Sequence, residues 1–256
     1  MKKFLVAIDQ GTTSSRAILF SLSGKPIYTS QKEFNQYFPK NGWVEHNPNE
    51  IWLTTLKGLK KVIKKASILK GKILSIGITN QRETTIIWNK KTGKAIYNAI
   101  VWQDRRTQEY CEKLKKKNYE KVLRKKTGLF IDPYFSATKI KWILENVKNT
   151  KKLLKSNNLL FGTVDTFLIW KLTDGKHHLT EATNASRTML FNINSNKWDD
   201  EILKKLKISK NILPEVKNSA DNFGSTNKKI VGTEIPISAV LGDQQAAAVG
   251  QSCFEK

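Results

Sequence analysis

Residues 4–9, Phe-Leu-Val-Ala-Ile-Asp, form a short apolar run of β-favouring residues, and a second run at 16–20 follows after only Gly11-Thr12-Thr13-Ser14-Ser15. Two such runs joined by a small-residue turn predict a β-hairpin. A third strand is expected at 26–33, after the turn Ser23-Gly24-Lys25. Asn47-Pro48 then opens a helix, with Asn as its cap and Pro at its first position. Ile51, Trp52, Leu56, Leu59, Val62 and Ile63 recur at helical spacing and give that helix one apolar face.

The alternation continues. Runs at 73–79, 84–88 and 98–102 have strand character, and a helical pattern spans 104–126. A helix is expected from Ser136, carrying Ile140, Ile143, Leu144 and Val147. A strand at 158–163 precedes a helix at 164–172, and a strand at 236–241 precedes a helix running from Asp243 through Ala246-Ala247-Ala248. Strands and helices in this order predict an α/β domain. No internal repeat or low-complexity linker interrupts it.

Composition narrows the classes. The 256 residues allow one large domain or two small ones, and 39% hydrophobic residues with 7 Trp and 11 Phe exclude a disordered chain. No apolar run is long enough to cross a bilayer. The opening Met-Lys-Lys-Phe-Leu-Val-Ala-Ile-Asp is too short for a signal-peptide core. Cys111 and Cys253 are too few and too distant for a disulfide framework, so a reducing, cytoplasmic location is expected. The net charge of +23 suggests nucleic acid or another anionic surface. Its carriers are nearly all lysines spread over helix faces and loops, whereas nucleic-acid readers lean on the arginine fork. A lysine-biased solvated surface with no specific nucleic-acid partner is the expectation.

Three stretches carry candidate chemistry. In Asp9-Gln10-Gly11-Thr12-Thr13-Ser14-Ser15-Arg16, a glycine, consecutive hydroxyls and backbone amides in a tight turn suit phosphate oxygens. The preceding Asp9 could hold Mg²⁺ directly or through water. The stretch contains no Gly-Lys-Ser/Thr loop, and taken alone it reads first as an ordinary polar turn. In Asn80-Gln81-Arg82-Glu83-Thr84, just past a strand, Arg82 and Glu83 place donors beside an acceptor, as a neutral polyhydroxylated ligand requires. The same pair is otherwise a salt-bridged loop. Gly242-Asp243-Gln244-Gln245 joins a strand to a small-residue helix, with Asp243 either an N-cap or a general base for a substrate hydroxyl. Trp102 and Tyr134 are core aromatics or an apolar wall against substrate carbons.

Together these segments resemble the FGGY carbohydrate kinases. The loop Asp9–Arg16, Asn80–Thr84, Trp102-Gln103-Asp104-Arg105-Arg106-Thr107, Gly162-Thr163-Val164-Asp165-Thr166 and Gly242-Asp243-Gln244-Gln245 occur in that family's order. Gly42-Trp43-Val44-Glu45-His46, the stretch Thr180–Phe191 and Trp198-Asp199-Asp200 look like its glycerol-phosphorylating members. The resemblance covers essentially the whole chain. It implies an actin-like, ribonuclease-H-like α/β fold with a mixed sheet flanked by helices. It also implies transfer of a phosphoryl group from ATP, with Mg²⁺, to glycerol, giving sn-glycerol 3-phosphate.

The same resemblance implies residue roles. Thr12, Thr13, Ser14 and Arg16 would hold the ATP or ADP phosphates, and Asp9 would sit near Mg²⁺. Arg82, Glu83, Trp102, Tyr134, Asp243 and Gln244 would bind glycerol, and Asp243 would be the base. Residues 1–256 would be the N-terminal, substrate-binding domain, inactive by itself. A second domain, absent from this chain, would supply the adenine and ribose contacts. No membrane partner is implied, and a homo-oligomer is allowed without being required. Some bacterial members carry a Gly-Gly-Lys loop for fructose 1,6-bisphosphate, but the matching stretch here is Lys228-Lys229-Ile230-Val231-Gly232-Thr233-Glu234. That feedback is not expected. Alternatives are a family member acting on another sugar or polyol, and an inactive half that serves as a binding module.

Overall fold

The computed structural model describes residues 1–254. Its centre is a five-stranded mixed sheet with the strands in the order 237–242, 71–80, 2–10, 14–21 and 26–33. The hairpin expected from the sequence forms its middle. Lys2–Gln10 and Ser14–Ser21 pair antiparallel from Phe4 opposite Ser21 to Gln10 opposite Ser15. Pro26–Glu33 extends it antiparallel after the turn at Gly24, whose φ of 78° suits glycine. On the other side, Gly71–Asn80 and Ile237–Gly242 join in parallel. The register brings Gln10, Asn80 and Gly242 into one row at the carboxyl ends of three adjacent parallel strands.

Helix Pro48–Ile68 covers one face of this sheet. The Asn47 side chain accepts from the Asn49 amide, as its capping position predicts, and Ile51, Leu59 and Val62 are buried. A second antiparallel pair, Ile86–Asn89 with Leu159–Gly162, is a wall between two hydrophobic cores. Period-two alternation explains it: Ile86, Trp88 and Leu160 enter the core against the main sheet, while Ile87, Leu159 and Phe161 enter the core among the later helices. Helix Val164–Leu172, buried at every position except Lys171, packs against the wall. No described helix is long and apolar enough to cross a membrane. Cys111 is buried and Cys253 exposed, and both are free thiols.

Some boundaries differ from the sequence expectation. The pattern at 104–126 is two helices, Gln108–Lys116 and Tyr119–Thr127, broken at Asn118, whose φ is 53°. The strand expected at 84–88 begins at Ile86, because Thr84 and Thr85 belong to the loop that leaves the main sheet. Helix Ser136–Asn146 ends before Val147, which is extended but still packs into the second core.

Candidate active site

The row Gln10–Asn80–Gly242 determines which side chains meet. The hairpin turn follows the first strand, Arg82 and Glu83 follow the second, and Asp243 follows the third. Ligands of α/β sheets collect at this end of parallel strands.

The turn at 11–13 is held from behind by its carbonyls. Gln81 Nε2 donates to Gly11 O at 3.0 Å, Gln36 Nε2 to Thr12 O at 3.0 Å and the Phe34 amide to Thr13 O at 3.2 Å. The amides of Thr12 and Thr13 find no acceptor among the described residues. A turn with bonded carbonyls and free amides suits an anion. Thr13 is exposed, and Thr12 Oγ1 accepts from Trp102 Nε1 at 3.1 Å, which fixes that indole beside the turn. Ser14 already belongs to the strand and is buried, its Oγ accepting from Gln31 Nε2 at 2.9 Å. Of the two residues, Thr13 is better placed to meet solvent or a ligand. Arg16 lies 3.5 Å from Asp9, and its Nε is buried without a partner. Asp9 is half-buried. Burial pushes its carboxyl up, Arg16 pulls it down, and the nearby Asp243 charge raises it again. Thr79, opposite Asp9 in the register, also has a buried hydroxyl without a partner.

Arg82 is buried beneath this surface. Its Nε donates to Asp243 Oδ1 at 3.1 Å and its second nitrogen to Gln245 Oε1 at 3.2 Å. Two residues far apart in the chain thus form one unit, with Asp243 half-exposed at its outer end. Asp243 is not the helix cap. Gly242 takes that position and Asp243 is the first helical residue, so its carboxylate can turn toward Arg82. Oδ1 also accepts from the Gln244 amide at 2.8 Å, while Oδ2 has no donor among the described residues. The Gln244 side chain is exposed beside it.

Glu83 is buried and its φ is 59°, in the left-handed region that a non-glycine residue occupies only when its surroundings impose it. Ser136 Oγ donates to the Glu83 carbonyl at 3.0 Å. Burial raises the Glu83 carboxyl, opposed by an ion pair from Arg187 Nε to Oε1 at 2.6 Å and by the more distant charges of Arg82 and Lys139. Trp102 and Tyr134 form a tilted aromatic pair with centroids 5.5 Å apart. The sequence-identified residues therefore gather at the strand ends and the loops beside them, with Ser14, Arg82 and Glu83 buried.

The segment 181–188 lies in the stretch Thr180–Phe191 that carries part of the resemblance, but sequence reasoning gave it no role in the site. Buried Glu181 accepts from the amides of Thr183 and Asn184, Asn184 exchanges amide hydrogen bonds with Asn80, and Thr183 Oγ1 accepts from the Gly242 amide at 2.8 Å. The stretch pins two of the three strand ends. The available signals were that motif and, within it, Arg187, a rare arginine in a lysine-rich chain. Gly162-Thr163-Val164-Asp165-Thr166, by contrast, contributes nothing to this face. Asp165 is fully buried and accepts from Thr163 Oγ1 at 2.5 Å and Thr180 Oγ1 at 2.6 Å.

Concavities of about 580 Å³ beside Trp52 and Lys171, and about 560 Å³ beside Ala66 and Ile235, share no residue with this face. Thr13, Asp243 and Gln244 are exposed on the face that carries the candidate chemistry.

The family model for the FGGY family of carbohydrate kinases, N-terminal domain, matches residues 4–250. The chain is 54% identical over 256 residues to a glycerol kinase of Petrotoga mobilis, covering all of this chain and 51% of that protein. It is 57% identical over 255 residues to a glycerol kinase of Caldanaerobacter subterraneus subsp. tengcongensis, again covering 51% of that protein. The chain thus spans about half the length of the curated relatives it matches. A crystal structure of Plasmodium falciparum glycerol kinase with ADP superposes with a TM-score of 0.95 at 37% identity, over 100% of this chain and 51% of that one. A gluconate kinase from Lactobacillus acidophilus, 23% identical with a TM-score of 0.87, shares the fold. The actin-like α/β architecture expected from the motifs is the one present, and this chain belongs to the FGGY family of carbohydrate kinases, as its N-terminal domain.

Proposed function

We propose that the protein containing this chain transfers the γ-phosphoryl group of ATP to glycerol, giving sn-glycerol 3-phosphate, and that this domain binds the glycerol and the transferred phosphate. The observation that carries the reading is the oriented carboxylate of Asp243. Two donors hold Oδ1 and leave Oδ2 unengaged, on the same strand-end row as a turn whose amides are free. The similarity to glycerol kinases at 54–57% identity supports glycerol as the acceptor.

In this reading Asp243 Oδ2 takes the proton of the attacking hydroxyl, and Arg82 fixes the carboxylate for that transfer. Arg82, Glu83 and Gln244 meet the glycerol hydroxyls, while Trp102 and Tyr134 cover its carbons. Thr12 and Thr13 lie in the turn that cradles the phosphates, Ser14 supports it from the start of the next strand, and Arg16, whose Nε lacks a partner, adds positive charge. Asp9 would hold Mg²⁺, directly or through water. A half-buried carboxylate beside a second acid is a donor set that fits a hydrated dication. When bound, the ion neutralises charge on the phosphate oxygens. A second domain supplies the adenosine contacts, and closure over this open face excludes water.

The test is an acceptor panel on the full-length protein with Mg²⁺-ATP: glycerol, pentitols, pentuloses and gluconate. Glycerol should give the highest kcat/KM and sn-glycerol 3-phosphate as product. A higher kcat/KM with a pentulose or gluconate would assign another acceptor. Glycerol binding without transfer would make the domain a binding module.

A further inference from the structure

Three cations surround the Glu83 carboxylate: Arg82, Lys139 and Arg187. They are not equivalent. Arg82 is committed to Asp243 and Gln245. Lys139 is fully buried and donates to the Tyr134 carbonyl at 2.6 Å, supporting the backbone of the aromatic wall. Among the described residues only Arg187 bonds the carboxylate itself, from Nε to Oε1 at 2.6 Å. The same guanidinium lies 4.9 Å from the Phe135 ring centroid and 5.7 Å from that of Tyr134, within reach of a cation–π contact. Glu83 Oε2 has no donor among the described residues. Arg187 is itself anchored by its segment, through Asn184 on Asn80 and Thr183 on Gly242.

We infer that Arg187 is a positioning residue for the polyol site: by occupying Oε1 of Glu83 and packing against the aromatic wall, it turns Oε2 toward the substrate hydroxyl and sets the spacing between acceptor and wall. This rests on the kinase reading above. An arginine suits the task because its planar fork bonds in its plane and stacks on its face, which a lysine does not. The Arg187 hydrogen bond and charge also oppose the burial that raises the Glu83 carboxyl, and so favour its charged, accepting form.

The experiment is steady-state kinetics and calorimetric glycerol binding on the full-length protein carrying R187K, R187Q or R187M, with thermal melts as the folding control. The KM and Kd for glycerol should rise about tenfold to a hundredfold in R187Q and R187M, the loss typical of a hydrogen bond to a charged group. R187K should recover part of it, and kcat and the KM for ATP should stay within about threefold in all three. The acid limb of kcat/KM for glycerol should move to higher pH in R187Q and R187M, because Glu83 then protonates more readily. Lys139, whose amine burial lowers to about 7, and Tyr134, whose phenol burial raises, face the same carboxylate. The comparison of R187K, which keeps the charge, with R187Q isolates the Arg187 contribution. If R187M does not fold, the K and Q variants decide the question.

Glycerol KM and Kd within twofold of the parent, with an unmoved acid limb, would overturn the inference. Failure of the kinase reading is seen separately in the parent protein. If the parent prefers another acceptor, the same variants are read on that acceptor, where a raised KM upholds Arg187 and an unchanged one overturns it. If the parent transfers no phosphate, the glycerol Kd series decides in the same way.

Discussion

The chain passes from strand to helix through a glycine at two places. Gly162 ends strand 159–162 and leads into helix 164–172, and Gly242 ends strand 237–242 and leads into helix 243–250. Each helix has an aspartate in its first turn. Asp165 is fully buried, bonded to two threonine hydroxyls, on a helix with eight buried residues. Asp243 is half-exposed, bonded to a buried arginine, on a helix with no buried residue. The local sequence is nearly the same kind, so the difference comes from the sheets. Strand 159–162 pairs between two hydrophobic cores, and whatever follows it is packed away. Strand 237–242 lies in a row of three parallel strand ends, and Asp243 and Gln244, which follow it, are left exposed. A junction that suits chemistry becomes a site only where the topology leaves it open.

The contrast breaks most sharply at Asp243. Asp243→Asn in the full-length protein should lower kcat for phosphoryl transfer by about 10²–10⁴, the usual cost of a lost positioned base. The amide oxygen can still accept from Arg82, so the glycerol KM should change little. Melting temperature should fall by a few degrees at most, since the amide oxygen keeps the hydrogen bond to buried Arg82 while losing the opposing charge. A kcat within a few-fold of the parent removes Asp243 from the base role.

Asp165 should behave in the opposite way. Asp165→Ala leaves two buried hydroxyls without their acceptor, which costs about 1–3 kcal/mol each. At roughly 2–4 °C per kcal/mol for a chain of this size, melting falls by several degrees or more. The glycerol KM of the folded fraction should be unchanged. Charge sharpens the point. Burial, with the Glu181 charge nearby, pushes the Asp165 carboxyl up to about 6 against the two threonine hydrogen bonds. A carboxyl raised in the folded state contributes stability at low pH that is lost as pH climbs through the folded value. The melting temperature of Asp165→Asn relative to the parent should therefore rise between about pH 4 and 6.5 and then level off. A flat difference over that range means Asp165 titrates normally and is not buried as described.

The same division explains what the sequence could convey. Helix 164–172 and the strand near 26–33 were legible because their signals are local: an apolar run after a strand in one, a β-favouring run after the turn Ser23-Gly24-Lys25 in the other. The break at Asn118 was not, because Lys115-Lys116-Lys117-Asn118 is uniformly polar and only the packing of Tyr119 and Leu123 restarts the helix. In the candidate site, the three motifs and their order were visible. That Arg82 reaches Asp243, that Asp243 is not a cap, and that Arg187 bonds Glu83 were not, because each depends on the register of strands far apart in the chain. The left-handed backbone of Glu83 left no trace in composition either, since glutamate gives no warning of positive φ.

One substitution made at both junctions tests the contrast most finely. Neither Gly162 nor Gly242 has a positive φ, so alanine is tolerated by the backbone and the outcome depends on what its methyl group meets. At Gly162 the methyl would press into the Thr166 side chain and the edge of Trp88, which are both fully buried and cannot withdraw. Overpacking of this kind costs about 1–3 kcal/mol. Gly162→Ala should therefore lower the melting temperature by a few degrees, with little change in glycerol KM. At Gly242 the methyl would collide with the side-chain methylenes of Arg82, and Gln245 Oε1 lies 3.2 Å away. That side chain is flexible and can move, but moving it breaks the bonds to Asp243 and Gln245. Gly242→Ala should leave the melt nearly unchanged and raise the glycerol KM about tenfold, in keeping with a weakened hydrogen bond to a charged group. The pair of melts and the pair of KM values form a two-by-two comparison. If Gly242→Ala lowers stability as much as Gly162→Ala and leaves KM alone, the two junctions serve the same structural purpose, and Arg82 does not act through the carboxylate it holds.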